Sequence, residues 1–249
     1  MPDRLAPLAP LVRLAIVMPV LNEAATLAPR LRALAPLRAR GAWLIVVDGG
    51  STDATPWLAQ MLADQVLESP RGRAAQMNAG ARACASDALL FLHADTALPD
   101  YADQRLLAAL DAGSHWGRFD VQLDSPRASL KVVSWFMNWR SRLTGIATGD
   151  QALFMRRSVF DGMGGFPDID LMEDIAMSGR LRRLSPPACL KARVTTSARR
   201  WEKHGVWRTV WLMWRLRAAY FLGADPAQLA LRYGYQPRVP TSDADDGSP

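Results

Sequence analysis

The sequence predicts an α/β fold with a Rossmann-like, mainly parallel sheet flanked by helices. In the first half of the chain short apolar runs alternate with helical patterns, and two of these runs end at or just before an aspartate. Alternating strands and helices imply right-handed crossovers, so neighbouring strands run in the same direction. The 249 residues, 49% hydrophobic and 22% charged, fit one large globular domain with a sizeable core.

The first half alternates strand with helix in a regular order. Residues 14–19 form an apolar run typical of a buried strand, and Leu27, Leu31 and Leu34 then fall on one face of a helix. The same alternation continues to residue 93. We predict strands at residues 14–19, 43–48, 65–68 and 88–93, and helices at residues 23–40, 52–63 and 73–85.

The second half is less regular. We predict strands at residues 116–123, 151–156 and 189–195, and helices at residues 128–143, 173–184 and 201–222. Residues 13–235 are expected to form a single domain. Residues 1–12 are expected to be a flexible leader, and residues 236–249 a disordered tail, because the stretch from Thr241 onward is rich in Ser, Asp, Gly and Pro.

Composition narrows the class of partner and the compartment. Thirty Lys and Arg against 24 Asp and Glu give a net charge of +6, which favours a nucleotide diphosphate, a nucleic acid or an acidic membrane as partner. The only cysteines, Cys84 and Cys189, make no disulfide framework and no zinc spacing, so we expect a reducing compartment, the cytoplasm. We expect neither a signal peptide nor a transmembrane helix.

Two aspartates stand where predicted strands end, and ligands of such sheets bind beyond the carboxyl ends of the strands. Asp48 leads into Gly49 and Gly50, which let a ligand approach the backbone closely. A capping turn explains residues 51–53 but not Asp48. Strand alternation should put His93 and Asp95 on one side, and Asp95 is a suitable oxygen ligand for Mg²⁺ or Mn²⁺. His93 by itself is more often a packed or surface histidine.

Three further segments have both a plain and a functional interpretation. Asn22 and Glu23 follow the first strand, where a helix N-cap is the plain account. Arg73 opens a predicted helix, whose N–H groups favour an anion, although a solvated basic turn is the alternative. Glu173 and Asp174 also start a helix: capping is the plain account, and a general base that accepts a proton from a hydroxyl is the functional one.

Taken together and in their order along the chain, these motifs closely resemble those of family 2 glycosyltransferases of the GT-A (nucleotide-diphospho-sugar transferase) fold. The resemblance runs from about residue 14 to at least residue 201. It implies that Asp48 contacts the donor base, Asp95 the divalent metal and the diphosphate, and that Asp174 deprotonates the acceptor. The family's metal motif is usually Asp-x-Asp, whereas this chain has His93, Ala94 and Asp95 there.

The resemblance also assigns the remaining site residues and divides the domain. Residues 13–97 would bind the nucleotide, residues 98–200 the acceptor, and residues 201–235 would form C-terminal helices. For His204, a surface position is the plain account. The expected residues are Pro19, Asn22, Glu23, Asp48, Gly49, Arg73, Asn78, Asp95, Arg200 and Trp201 for the donor, Asp150 and Gln151 for the acceptor, Asp174 and Glu173 for catalysis, and Asp95, His93 and His204 for the metal.

Residues 197–201 are similar to the Gln-x-x-Arg-Trp motif of processive members, with Ser197 in place of Gln, which argues for a nonprocessive enzyme. The finer pattern resembles a bacterial branch labelled as arsenosugar- or selenium-domain-associated glycosyltransferases. The resemblance implies an inverting enzyme, dependent on Mg²⁺ or Mn²⁺, that moves a hexosyl or related sugar from a UDP-linked donor to an unidentified small-molecule or lipid-linked acceptor. It implies no nucleic-acid partner, and the oligomeric state is left open.

Two alternative functions follow from the same sequence. A nucleotidyltransferase shares this sheet architecture but normally carries a Gly-rich basic loop after the first strand, where this chain has residues 19–23. A non-catalytic nucleotide-sugar-binding protein is the second alternative, and the retained Asp48, Asp95 and Asp174 argue against it.

A stripe of tryptophans marks the C-terminal helix. Trp207, Trp211 and Trp214 recur at helical spacing, and Trp135 and Trp139 lie on an earlier predicted helix. We expect the two sets to pack together in the core. The alternative is a helix at a membrane interface, with tryptophans inward and nearby arginines toward lipid phosphates.

Overall fold

Eight strands form one sheet in the computed structural model, which describes residues 12–235. Most of the predicted leader (residues 1–12) and the whole predicted tail (residues 236–249) lie outside the described residues. The strand order is β3-β2-β1-β4-β7-β6-β8-β5. The strands are β1 Val12–Val20, β2 Ala42–Asp48, β3 Gln65–Glu68, β4 Ser86–Phe91, β5 Thr96–Ala97, β6 Trp116–Asp124, β7 Phe154–Arg156 and β8 Ala188–Ser197.

The sheet is mainly parallel, as predicted. Strands β3, β2, β1 and β4 are parallel neighbours, and so are β6 and β8. Strand β7 is antiparallel to both β4 and β6, and the short β5 is antiparallel to β8. The carboxyl ends of β1, β2, β4, β6 and β8 therefore meet along one edge of the sheet.

Helices cover both faces of the sheet, and apolar residues are buried on both. Leu14, Ile16 and Met18 of β1 pack with one layer, and Ala15 and Val17 with the other, as expected for a parallel strand. The helices are α1 Ala24–Ala33, α2 Ala35–Ala39, α3 Thr55–Leu62, α4 Arg73–Arg82, α5 Ala102–Asp111, α6 Ala128–Thr144, α7 Arg157–Gly162, α8 Glu173–Leu184, α9 Arg199–His204, α10 Val206–Phe221 and α11 Pro226–Tyr233.

Two predicted helices are each divided. The helix predicted at residues 23–40 is α1 and α2, because Pro36 lacks the N–H that would continue the first. The helix predicted at residues 201–222 is α9 and α10, separated at Gly205, whose φ of +82° no helix interior allows. Helices α5, α7 and α11 and strand β5 were not predicted.

Several predicted element ends were also wrong. Helix α3 begins at Thr55 because Asp53 Oδ1 accepts the Thr55 N–H, at 2.9 Å, ahead of the first turn. Helix α4 ends at Arg82. Strand β4 ends at Phe91, and β7 begins only at Phe154, because residues 149–151 form a 3₁₀ turn. Strand β1 begins at Val12, inside the predicted leader.

The prediction that the tryptophan stripe packs in the core is wrong. Trp207, Trp211 and Trp214 are 82%, 60% and 60% exposed, and Trp135 and Trp139 are 62% and 47% exposed. Helix α10 packs inward through other residues: Leu216 and Thr209 are buried, while Leu212 and Met213 lie against a small apolar cluster.

Among the described residues, no helix combines the length and apolar character needed to cross a membrane.

Candidate active site

A cleft of about 350 Å³ opens at the edge where the carboxyl ends of the strands meet. Its walls come from β1, the loop after β4, β8 and the helices α8, α9 and α10. Ligands of open α/β sheets bind in this position. Ten of the residues predicted for the site line it, namely Pro19, Glu23, Arg73, His93, Asp95, Asp150, Glu173, Asp174, Arg200 and Trp201.

Asp48 lies beside the cleft, one strand away. It pairs in register with Val20, which does line the cleft. The buried Asp48 carboxylate accepts hydrogen bonds from the backbone N–H groups of Gly50 and Ser51, at 3.0 and 2.8 Å, and from the Ser51 hydroxyl. The turn therefore uses Asp48 itself as its cap. The adjacent Gly49 packs against the side chain of Gln76.

Four other residues predicted for the site do not line the cleft. Three of them make hydrogen bonds to the backbone of neighbouring segments, and the fourth is exposed. Asn22 is not an N-cap: with φ +53° it bridges two turns, its Oδ1 accepting the Thr52 N–H at 2.8 Å. Asn78 both donates to and accepts from the backbone of Phe166. Gln151 is fully buried, and its Oε1 accepts the Thr148 N–H. His204 is exposed at the end of α9, away from the cleft lining.

Glu23 and Asp95 bring two carboxylates to one part of the cleft. Glu23 Oε2 accepts a hydrogen bond from Thr26 at 3.2 Å, and Asp95 Oδ1 accepts one from Thr96 at 3.3 Å. Burial raises the pKa of Glu23, and the negative charge of Asp95 adds to that rise. Two carboxylates that repel each other in this way form a place where a cation is favoured.

His93 and Asp95 follow β4 in a turn, so strand alternation is not what brings both into the cleft. His93 Nδ1 lies 3.5 Å from Asp150 Oδ1. Burial and the charge of Arg73 act to lower the pKa of His93, but Asp150, with a smaller contribution from Asp95, raises it above its usual value. Burial acts to raise the pKa of Asp150, and His93 holds it below its usual value. His93 thus pairs with Asp150, whereas Asp95 has Glu23 beside it.

The close approach of Gly149 to His93 leaves no room for a side chain. A Cβ atom on Gly149 would lie 2.2 Å from Cε1 of the imidazole. We expect Gly149→Ala to push His93 away from Asp150, to lower the pKa of His93, and to cost about 1–3 kcal/mol of stability through overpacking. Thermal unfolding and NMR titration of His93 measure these effects.

Gly179→Ala is the matched control, because a Cβ atom on Gly179 within α8 meets nothing within 4 Å. This variant should be neutral or slightly stabilised, since alanine is the better helix former. Equal melting temperatures for the two alanine variants, with the His93 pKa unchanged, would contradict the packing described for Gly149.

Glu173 and Asp174 open helix α8 in the wall of the cleft. Asp174 Oδ2 accepts the Gly149 N–H at 2.6 Å, and Oδ1 accepts the Ile175 N–H at 2.7 Å. The second bond satisfies a free N–H at the helix start, as the capping account predicts, but the first ties Asp174 to the loop that carries Asp150. These bonds orient the carboxylate and leave lone pairs for another donor.

Burial raises the pKa of Glu173 to about 7, and the charge of Asp174 adds to the rise. Between about pH 4.5 and pH 7 the folded chain therefore keeps a proton that the unfolded chain has released. The folded state binds more protons in this window, so its stability falls as the pH rises through it.

We expect Glu173→Gln to flatten this loss of stability between about pH 4.5 and pH 7. Urea unfolding across the window measures the slope of stability against pH. Glu68→Gln, which changes an exposed glutamate on β3, should leave the slope as it is in the wild type. An undiminished slope in Glu173→Gln would show that Glu173 does not carry it.

Two helices also bring positive charge to the cleft. Arg73 is the first residue of α4, and burial acts to lower its pKa, but Glu173 raises it above its usual value. Arg200 of α9 donates to the Tyr233 carbonyl, and its guanidinium lies 3.5 Å from the centroid of the Tyr233 ring. Both arginines line the cleft. An anion such as a diphosphate would be stabilised between them.

Arg217 and Tyr233 belong to the cleft lining but were not predicted as site residues. Burial lowers the pKa of Arg217, and the nearby Asp174 and Asp150 oppose that effect. Arg217 lies on α10 close to the tryptophan stripe, where only the membrane-interface alternative gave the nearby arginines a role, that of facing lipid phosphates. For Tyr233 the sequence offers no signal, because its partner Arg200 is 33 residues away on another helix.

Within residues 12–235 no group of three or more His, Cys, Asp or Glu side chains is placed to hold a metal ion. Any divalent cation in this cleft would therefore need oxygen ligands from a bound substrate in addition to Asp95 and Glu23. Mg²⁺ commonly binds in this way, through one or two carboxylates together with substrate phosphates.

The fold is shared with solved glycosyltransferases. S. aureus TarS 1–349 in complex with UDP superposes with a TM-score of 0.61 at 16% identity, over 74% of this chain and 60% of that one. The mannosyltransferase PcManGT from Pyrobaculum calidifontis in complex with GDP-Man and Mn²⁺ gives 0.60 at 20% identity, over 95% and 69%. Glucosyl-3-phosphoglycerate synthase from Mycobacterium tuberculosis, in complex with Mn²⁺, UDP and phosphoglyceric acid, gives 0.55 at 18%, over 74% and 69%.

These likenesses confirm the predicted GT-A fold, although the chain spans only about 60% of the TarS 1–349 structure. No protein of curated function matches the sequence. The family model described as glycosyl transferase family 2 matches residues 15–163, which is more than half of the chain. The matched region includes most of β1, together with Asp48, Asp95 and Asp150. The chain therefore belongs to glycosyl transferase family 2.

Proposed function

We propose that this chain transfers a hexosyl or related sugar from a UDP-linked donor to an acceptor hydroxyl, with inversion and with Mg²⁺ or Mn²⁺. One observation carries the proposal: the same cleft is lined by the carboxylates of Asp95 and Asp174 and by the guanidinium groups of Arg73 and Arg200. The neighbours that hold UDP or GDP-Man favour a nucleotide sugar as the donor.

The donor diphosphate would lie between Arg73, Arg200 and Arg217, whose positive charge stabilises the departing nucleoside diphosphate. The nucleoside would extend toward the turn after β2. Asp48 retains acceptor capacity for it, because three hydrogen bonds within the turn leave about one of its four lone pairs unused. Asn22 and Gly49 shape the same pair of turns.

The donor set of the cleft fits a divalent cation. Asp95 would hold it, with Glu23 beside Asp95, and the opposing charge would relieve the repulsion that raises the pKa of Glu23. Such an ion, when bound, neutralises charge on the leaving diphosphate.

We assign the role of general base to Asp174. Its carboxylate takes the proton of the acceptor hydroxyl while the hydroxyl oxygen bonds to the anomeric carbon. The bond from that carbon to the diphosphate breaks, and its electron pair leaves with the nucleoside diphosphate. Attack from the face opposite the leaving group inverts the anomeric centre. Asp150, which follows the Gly149 bound to Asp174, and Trp201 also line the cleft and would hold the acceptor.

The motif resemblance favours the arsenosugar- or selenium-domain-associated branch and a nonprocessive reaction. The two cysteines, Cys84 and Cys189, are unpaired, which favours the cytoplasm. The acceptor is a hydroxyl compound, either a small molecule or a lipid-linked one.

A thermal-shift screen of nucleotide sugars with and without Mn²⁺ tests the proposal. We expect a UDP-sugar to raise the melting temperature in the presence of Mn²⁺, since a ligand that binds only the folded state stabilises it. The product assay that follows should show release of UDP. Release of pyrophosphate from a nucleoside triphosphate would instead indicate a nucleotidyltransferase, and binding with no turnover of any acceptor would indicate a non-catalytic protein.

A further inference from the structure

Helices α6 and α10 present a large aromatic surface that the described part of the chain does not cover. Its members recur at spacings of three and four residues, so that each helix turns one side outward. We call this surface the aromatic face and define it by Trp135, Phe136 and Trp139 of α6 together with Trp207, Trp211 and Trp214 of α10. Phe136 is 39% exposed and the five tryptophans between 47% and 82%.

Ring contacts join the two helices into one surface. Trp135 and Trp139 stack with centroids 6.1 Å apart, and Phe136 lies 6.2 Å from Trp139. Phe136 also stacks on Trp214 of the other helix at 6.4 Å. Contiguous exposed aromatic area of this kind marks an interaction site, whereas scattered surface tryptophans would not.

The charge on these two helices has one sign. Neither α6 nor α10 contains an Asp or a Glu, and together they carry one lysine and five arginines. Lys131, Arg208 and Arg215 are exposed. The guanidinium of Arg215 lies 4.4 Å from the centroid of the Trp211 ring, so cation and aromatic ring share one surface.

This combination favours a lipid surface over a second copy of the chain. In a two-fold dimer built on the aromatic face, the same surface of each copy would contact its counterpart. The basic residues of α6 and α10 would then lie near the same basic residues of the other copy, and neither helix has an Asp or Glu to neutralise them. Anionic lipid headgroups supply the missing negative charge, and tryptophan concentrates where hydrocarbon meets headgroup.

We propose that the aromatic face docks the protein on the surface of an anionic lipid bilayer. The tryptophan rings enter the headgroup region, and Lys131, Arg208 and Arg215 lie near lipid phosphates. The opposite side of α10 lines the cleft with Thr209, Met213 and Arg217. The cleft therefore lies about 10 Å, one helix diameter, from the lipid surface. The short distance between the cleft and the lipid favours a lipid-linked acceptor. This choice of acceptor rests on the proposed glycosyl transfer, but the docking on lipid does not.

Flotation of the full-length protein with phosphatidylcholine vesicles, with and without phosphatidylglycerol, tests the docking. We expect the protein to float with the anionic vesicles at low salt, and less as salt is added. The double variant Trp211→Ser/Trp214→Ser should lose at least about tenfold in vesicle affinity. Arg208→Glu/Arg215→Glu should remove the preference for phosphatidylglycerol.

Trp57→Ser is the matched control, because Trp57 is 61% exposed on α3, a helix that packs on α1 and β3. It should float like the wild type. Unchanged melting temperatures verify that the variants fold. Absence of flotation at low salt, or equal loss in Trp57→Ser and the double variant, would overturn the docking. The docking would also be overturned if sedimentation showed that the wild type is a dimer that does not bind vesicles and that the double variant is a monomer. UDP binding, measured separately, reports on the proposed function alone.

Discussion

Asp174→Asn is expected to lose sugar transfer while it keeps donor binding. The amide cannot accept the proton of the acceptor hydroxyl, and general-base assistance typically contributes about 10²–10⁴-fold to the rate. The donor contacts assigned to Arg73, Arg200 and Asp95 do not depend on this carboxylate. Steady-state transfer and calorimetric UDP binding, measured on the same preparation, separate the two effects.

Asp174→Asn also changes the hydrogen bonds that the carboxylate accepts, so its effect on stability must be measured separately from its effect on turnover. Its two oxygens accept the N–H groups of Gly149 and Ile175, and an asparagine can accept only on one side. We therefore expect a lower melting temperature in addition to the lost turnover. Asp161→Asn changes an exposed aspartate on α7 and should leave transfer intact. Normal turnover in a folded Asp174→Asn protein would exclude Asp174 as the base.

Asp95→Ala is expected to abolish the part of donor affinity that depends on Mn²⁺. We expect a decrease on the order of 100-fold in UDP affinity with Mn²⁺ present, because the variant loses the carboxylate that would hold the ion against the negatively charged diphosphate. Without Mn²⁺ the variant and the wild type should bind UDP alike. Calorimetry with and without the ion measures both quantities.

Asp100→Ala is the matched control for Asp95→Ala, because Asp100 is exposed between β5 and α5 and lies outside the cleft lining. It should keep the affinity of the wild type under both conditions. The Mn²⁺-dependent UDP affinity of Glu23→Gln should lie between those of Asp95→Ala and Asp100→Ala, because Glu23 lies beside Asp95. Equal Mn²⁺-dependent affinity in Asp95→Ala and the wild type would remove Asp95 from the metal site.

Strands β1 and β2 were readable from the sequence because they are buried on both faces. Such strands are continuous apolar runs, and the patterns at residues 14–19 and 43–48 predicted them closely. The partly exposed edge strand β3 also matches its prediction at residues 65–68. Helix α5 and helix α11 were missed. Helix ends were less readable, because a single backbone feature, such as the positive φ of Gly205, decides them.

The site was predictable where one motif follows one strand, and less so where distant segments meet. Asp95 and Asp174 do line one cleft, as the ordered motifs led us to expect, while Asp48 lies one strand away with its carboxylate bound in its own turn. The pairing of His93 with Asp150 and the contribution of Arg217 depend on tertiary packing, which no local pattern encodes. The outward orientation of the tryptophans has the same cause, since Leu216 and Thr209 occupy the inner side of α10.

We propose that the nucleotide and the cation bind together in the cleft that Asp95 and Asp174 line. Crystals grown with UDP and Mn²⁺ test it most directly, because the anomalous signal of manganese locates the ion independently of any assignment. We expect one manganese peak within bonding distance of the Asp95 carboxylate, with the UDP diphosphate against Arg73 and Arg200. A manganese peak away from Asp95, or UDP bound outside this cleft, would contradict the account.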